Sequence, residues 1–133
     1  MAPSAVLERV RRLEERGIVR GYTAIIDPAA VGLSVLAFIL VRTKAGCWQA
    51  DTGEKLAALP EVEEVHHIAG EDCFLVKVRV KDTTDLGALL RDRFTKIDSI
   101  GSTRTTIVLE SVKEGSVMRV DRAAARKNSR RAS

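Results

Sequence analysis

At 133 residues, 45% hydrophobic and 4% aromatic, the chain has room for one domain with an aliphatic core, and no apolar run reaches the roughly 18 residues of a membrane span. No secretory signal is read at the N-terminus; Cys47 and Cys73 are too few for a disulfide framework and lack metal spacing, so a cytoplasmic protein with two free thiols is expected. The net charge of +4 is concentrated in residues 113–133, where seven Lys or Arg face only Glu114 and Asp121, leaving a near-neutral body and a basic, solvated tail whose cations are available to phosphate.

In chain order, PSAVLERVRRLEERG (3–17) reads as one short helix. Pro3 suits a first turn, Ser4 can cap, and Gly17 sits where a C-terminal cap belongs. Val6, Val10 and Leu13 form an apolar stripe, while Arg9, Arg12 and Arg16 share another side and Glu8 is spaced to pair with Arg12. By these features alone a salt-bridged surface helix and a phosphate-binding helix are equally good descriptions. YTAIID (22–27) alternates as a strand closed by Asp-Pro.

LSVLAFILVR (33–42) is apolar on both faces, so both faces must be covered. DTGEKLAALPEV holds a short helix that Pro60 ends. VEEVHHIA (62–69) is a strand whose alternation is imperfect enough to suggest a bulge, and GEDC is a turn. FLVKVRVK (74–81) alternates cleanly, with Phe74, Val76, Val78 and Val80 inward. DTTDLGALLRDRF (82–94) is a helix capped by Asp or Thr, with Leu86, Leu89 and Leu90 inward. STRTTIVLESV (102–112) is the last strand. The order β-α-β-β-α-β is that of the ferredoxin-like split unit, an α+β fold with helices on one face of a four-stranded sheet. Its open face calls for a homodimer, sheet against sheet.

No catalytic constellation is visible in the sequence. His66 and His67 are adjacent on a strand and point to opposite faces, so without a bulge they cannot share a metal. No metal and no cofactor are expected.

The chain resembles the Lrp/AsnC (feast/famine) family of transcriptional regulators. In SAVLERVRRLEERGIVRGYTAIIDPAAVG, the residues Val6, Arg9, Val10, Leu13, Gly17, Ile18, Val19, Gly21, Tyr22, Asp27, Pro28 and Gly32 fall in register with the end of that family's helix-turn-helix and its linker strand. PEVEEVHHIAGEDCFLVKVRVKD and STRTTIVLESVKEG are similar to its effector domain, the RAM domain, and the likeness runs from about residue 3 to 115. The resemblance implies three segments: residues 1–32, a remnant of the winged helix-turn-helix and linker; 33–115, the RAM domain for effector binding and oligomerisation; and 116–133, a basic tail. Two departures stand out. The family's first two helices have no counterpart here, and the acid of the family's G-x-x-D turn is replaced by Cys73, with acids instead at Glu71 and Asp72.

The resemblance further implies a homo-oligomer, a dimer assembled as four dimers into an octamer. It implies an amino acid or related small molecule as effector, and no membrane partner. Ser4, Arg9, Arg12 and Arg16 would face DNA, weakly or indirectly in the absence of supporting helices. The effector site would comprise Gly70, Glu71, Asp72, Cys73, Thr103, Thr105 and Thr106, the acids taking the ammonium and Gly70 N–H with threonine hydroxyls taking the carboxylate. Because strands two and four lie at opposite edges of such a sheet, turn and threonines are expected far apart within one chain and contributed by different subunits. The alternatives are a stand-alone amino-acid sensor without autonomous DNA binding, and a small enzyme on a dimeric ferredoxin-like barrel.

Overall fold

The computed structural model describes residues 3–48 and 51–115; the expectation made for the basic tail falls mostly outside the described residues. Helix α1 spans Pro3–Glu15. It closes with the glycine cap that the sequence prescribes. Gly17 has φ +72°, its N–H donates to the Glu14 carbonyl at 3.0 Å, and the Ile18 N–H reaches back to the Leu13 carbonyl at 2.9 Å. These two bonds satisfy carbonyls that the helix would otherwise leave unpaired. Glu8 and Arg12 pair at 3.0 Å, one turn apart. Residues 22–27 form no strand, which corrects the expectation drawn from their alternation. A strand needs a neighbour to receive its amides, and no ladder partner for this stretch exists among the described residues.

The residues from Ile26 to Val112 form a compact unit of their own. It contains β1 (Val35–Thr43), α2 (Thr52–Ala57), β2 (Val62–His67), β3 (Phe74–Val80), α3 (Thr83–Ala88) and β4 (Ile100–Ile107). The Asp82 carboxylate accepts the Asp85 N–H at 2.8 Å and starts α3. Sheet order is β2-β3-β1-β4, antiparallel throughout, as the split unit requires. The bulge suggested for β2 is present, as a register shift between Val62 and Glu64.

Strand alternation assigns each residue a face. Ala37, Ile39 and Val41 of β1 join Phe74, Val76, Val78 and Val80 of β3 in the core, under Leu56, Leu86, Leu89 and Phe94 from the helical side. The β3 pattern matches the sequence expectation residue for residue. The other face carries Leu36, Phe38 and Leu40 of β1, with Phe38 opposite Lys77 and Leu40 opposite Leu75. Leu36 is buried, whereas Phe38 and Leu40 remain partly exposed. Around them stand charges. Glu64 meets His66 at 2.8 Å and Lys77 at 3.4 Å, and its hydrogen bond with His66, then Lys77, holds its carboxyl below the ordinary value.

Candidate functional site

The site begins with a turn that the chain cannot make without glycine. Gly70 has φ +152°, a conformation L side chains rarely adopt. The turn is then stitched on two sides. Ile68 N–H donates to the Cys73 carbonyl at 3.0 Å, and Cys73 N–H donates to the Val41 carbonyl of β1 at 2.9 Å. A third tie comes from Arg42, whose Nε donates to the Glu71 carbonyl at 3.1 Å.

The two acids of the turn differ in kind. The Glu71 side chain is 87% exposed, with Arg42 at 4.0 Å. The Asp72 side chain is 9% exposed, and its Oδ2 accepts from the Arg104 guanidinium of β4 at 2.5 Å. Its Oδ1 lies 3.9 Å from Arg42 Nε. Burying a carboxylate this far from water is costly unless cations stand beside it. The hydrogen bond and charge of Asp72 in turn push the Arg104 guanidinium above its ordinary value.

β2 and β4 lie at opposite edges of the sheet as expected, yet the long Arg104 side chain of β4 reaches the turn within one chain. The turn belongs to the start of β3 as much as to the end of β2. β3 and β4 flank β1, with Leu75 and Arg104 both opposite Leu40. Two strand spacings, roughly 10 Å, are within reach of an arginine. Arg42 and Arg104, neither foreseen as a site residue, therefore complete the cluster.

The threonines divide as strand alternation demands. Thr103 pairs with Val41 and Thr105 with Ile39, on the helical side of the sheet. Thr106 pairs with Phe38 and shares the open side with Arg104. All three are exposed. Only Thr106 stands on the face toward which Asp72 and Arg104 meet.

Cys73 turns away from this cluster. It is 1% exposed and forms a disulfide with Cys47, with Cα atoms 5.0 Å apart. The expectation of two free thiols is thereby overturned. Sequence spacing carries no trace of the pairing, because the fold alone brings the loop after β1 against the start of β3. The two histidines point to opposite faces as expected: His66 meets Glu64, while His67 lies between Trp48 at 4.4 Å and Phe74 at 4.8 Å. These aromatics line a cleft of ≈ 420 Å³ on the helical side, with Val65 and Cys47 in its wall.

On α1, Ser4, Arg9 and Arg12 are exposed, as is Arg16 just past its end. Arg12 is engaged by Glu8.

Comparison with known proteins agrees with this architecture. A model of the Lrp/AsnC ligand-binding domain matches residues 36–118. The chain is 42% identical over 114 residues to the HTH-type transcriptional regulator FL11 of Pyrococcus horikoshii, covering 86% of this chain and 74% of that protein. It is similar to the transcriptional regulator NMB0573 of Neisseria meningitidis in complex with L-Met, with a TM-score of 0.82 at 26% identity, over 90% of this chain and 78% of that one. It is also similar to the feast or famine regulatory protein Rv3291c from M. tuberculosis complexed with L-methionine, with a TM-score of 0.74 at 37% identity, over 86% of this chain and 76% of that one.

Proposed function

This chain belongs to the Lrp/AsnC family of transcriptional regulators, and we propose that its sheet unit receives a free α-amino acid at the Gly70–Cys73 turn and couples that binding to assembly and DNA affinity. The observation that carries this reading is the Asp72 carboxylate, buried on the Gly70–Cys73 turn and paired with Arg104 of β4. An ammonium group requires such an acceptor, and a ligand carboxylate requires N–H or hydroxyl donors nearby. Asp72 takes the ammonium, with Glu71 as its outer neighbour; the Gly70 N–H and the Thr106 hydroxyl are the donors assigned to the carboxylate. Thr103, Thr105 and the Cys73 side chain have no direct part in it. L-Methionine, bound by the Neisseria and M. tuberculosis proteins, is the first effector to try.

The working form is a homodimer joined through the open face of the sheet, with four dimers forming an octamer. Residues 33–115 serve as the effector and assembly domain. Residues 1–32 belong to the DNA-facing part, and the tail 116–133 adds cations. The protein is a regulator rather than an enzyme, and it works in the cytoplasm, where the DNA is. Among the described residues, no helix is long and apolar enough to cross a membrane.

Calorimetry with the twenty amino acids tests the site. L-Methionine or another apolar amino acid should bind the wild type, and Asp72→Ala should weaken that binding by about 10- to 100-fold, the worth of one charged hydrogen bond. Glu71→Ala should weaken it less. No binding by any amino acid, or binding that ignores both changes, rejects the assignment.

DNA contact is expected through phosphates, from Ser4, Arg9 and Arg12 of α1 and Arg16 just after it. Phosphate contacts position a protein without specifying sequence. Binding should therefore fall steeply with salt, and Arg9→Ala should lower the slope of log K against log salt by about 1. Mobility shifts over a salt series read this directly. An unchanged slope in Arg9→Ala, Arg12→Ala and Arg16→Ala favours the sensor without autonomous DNA binding.

A further inference from the structure

Arg42 and Arg104 both address Asp72, but they are built differently. Arg42 is tied to the turn backbone through the Glu71 carbonyl at 3.1 Å and stands off from Asp72 at 3.9 Å. Arg104 reaches Asp72 at the tip of a side chain that is 64% exposed. Asp72 is the one hydrogen-bond partner of that side chain among the described residues. Arg42 is thus anchored, whereas Arg104 can leave Asp72 without disturbing anything else it holds.

We propose that Arg104 is a built-in stand-in for the effector's ammonium, displaced by the effector and then reused as the receptor for its carboxylate. This rests on the reading of Asp72 as the ammonium acceptor. In the empty site one ion pair, Asp72 with Arg104, satisfies both charges. An α-amino acid brings one charge of each sign. Its ammonium takes the place of the guanidinium on Asp72, and its carboxylate meets the guanidinium just released. No bond is made or broken and every charge keeps a partner.

The exchange also explains how a small surface site discriminates. A plain amine that displaces Arg104 leaves a guanidinium without its carboxylate. A plain carboxylic acid cannot approach Asp72, and Arg104 already has a partner. Each analogue leaves one group worse off than in the empty site, which is how rejection is achieved where attraction alone is weak. Arg104 is therefore a specificity-determining residue for zwitterions, and Arg42 stays beside Asp72 during the exchange.

Three ligands separate the roles: L-methionine, 3-(methylthio)propylamine, which lacks the carboxylate, and 4-(methylthio)butanoic acid, which lacks the ammonium. Calorimetry on the full chain should show methionine binding at least about thirtyfold more tightly than either analogue. Arg104→Gln should bind the amine about tenfold better than wild type does, and methionine should keep no more than about a threefold advantage over it. Arg104→Lys, which keeps the charge, should restore most of the discrimination and gives a folded comparison should the glutamine variant prove unstable. If Arg104→Gln leaves all three affinities at wild-type values while Asp72→Ala abolishes methionine binding, or if the wild type binds the amine as tightly as methionine, the exchange is wrong and the site stands. If Asp72→Ala binds methionine as the wild type does, or the wild type binds none of the three ligands, the site assignment fails and the exchange with it.

Discussion

Phe38→Asp and Leu40→Asp are each expected to yield monomeric or insoluble protein. Both residues lie on the face of β1 that turns away from the helices, since their neighbours Ala37, Ile39 and Val41 are fully buried in the core. Both sit on the central strand, with Leu36 completing an apolar row that β4 and β3 flank. A dimer joined through this face would place a new carboxylate in its middle. An unpaired buried charge costs several kcal/mol, and about 4 kcal/mol is a thousandfold in dissociation constant. Sedimentation or light scattering at micromolar concentration would read the shift in mass. Soluble dimers of unchanged stability from both variants would place the interface elsewhere.

Reducing the Cys47–Cys73 disulfide should lower the melting temperature of the sheet unit markedly. The bond closes a loop of sequence separation 26, and the loss of unfolded-state entropy for such a loop is worth about 3 kcal/mol. In a unit the size of Ile26–Val112 each kcal/mol moves the midpoint by about 4–8 °C, so a fall of about 12–24 °C is expected. Calorimetric scans with and without a phosphine reductant, beside Cys73→Ser, make the measurement. The bond fastens the segment after β1 to the residue that follows Asp72, so its loss should also loosen the turn. Identical midpoints in both scans, with both thiols alkylated before any reductant is added, would show that the pair is not joined in solution.

Much of the sheet could be read from the chain. The strict alternation of Phe74, Val76, Val78 and Val80 specifies both strand and face, because a period of two has only one geometric meaning. The doubly apolar β1 reveals that it is central, and Gly17 and Asp82 reveal helix ends through capping chemistry. The site was legible only in part. Gly70, Glu71 and Asp72 are adjacent in sequence and could be grouped by inspection. Arg104 could not, since its place beside Asp72 depends on the register of two ladders that meet on β1. Cys47 and Cys73 illustrate the same barrier, for a pair of thiols has no period. The segment 22–27 failed for the opposite reason. Its alternation is genuine, but a strand is a relation between two segments, and no second one pairs with it among the described residues.

The bulge in β2 has a consequence for how the chain tolerates changes of length. Val62 lies opposite Val78, and Glu64 rather than Glu63 lies opposite Lys77, so the strand holds one residue more than its ladder uses. Glu63 is the surplus residue, and it is set to meet Arg79, at 2.6 Å. Removing Glu63 would return β2 to regular pairing with Glu64, Val65, His66 and His67 still opposite the same partners, at the expense of one ion pair. Removing any single residue between Glu64 and His67 would instead invert the faces of the part of β2 on one side of the gap, for instance turning Glu64 toward the core beside Val76. Along this strand, deletion is therefore a graded change at one position and a disruptive one at its neighbours.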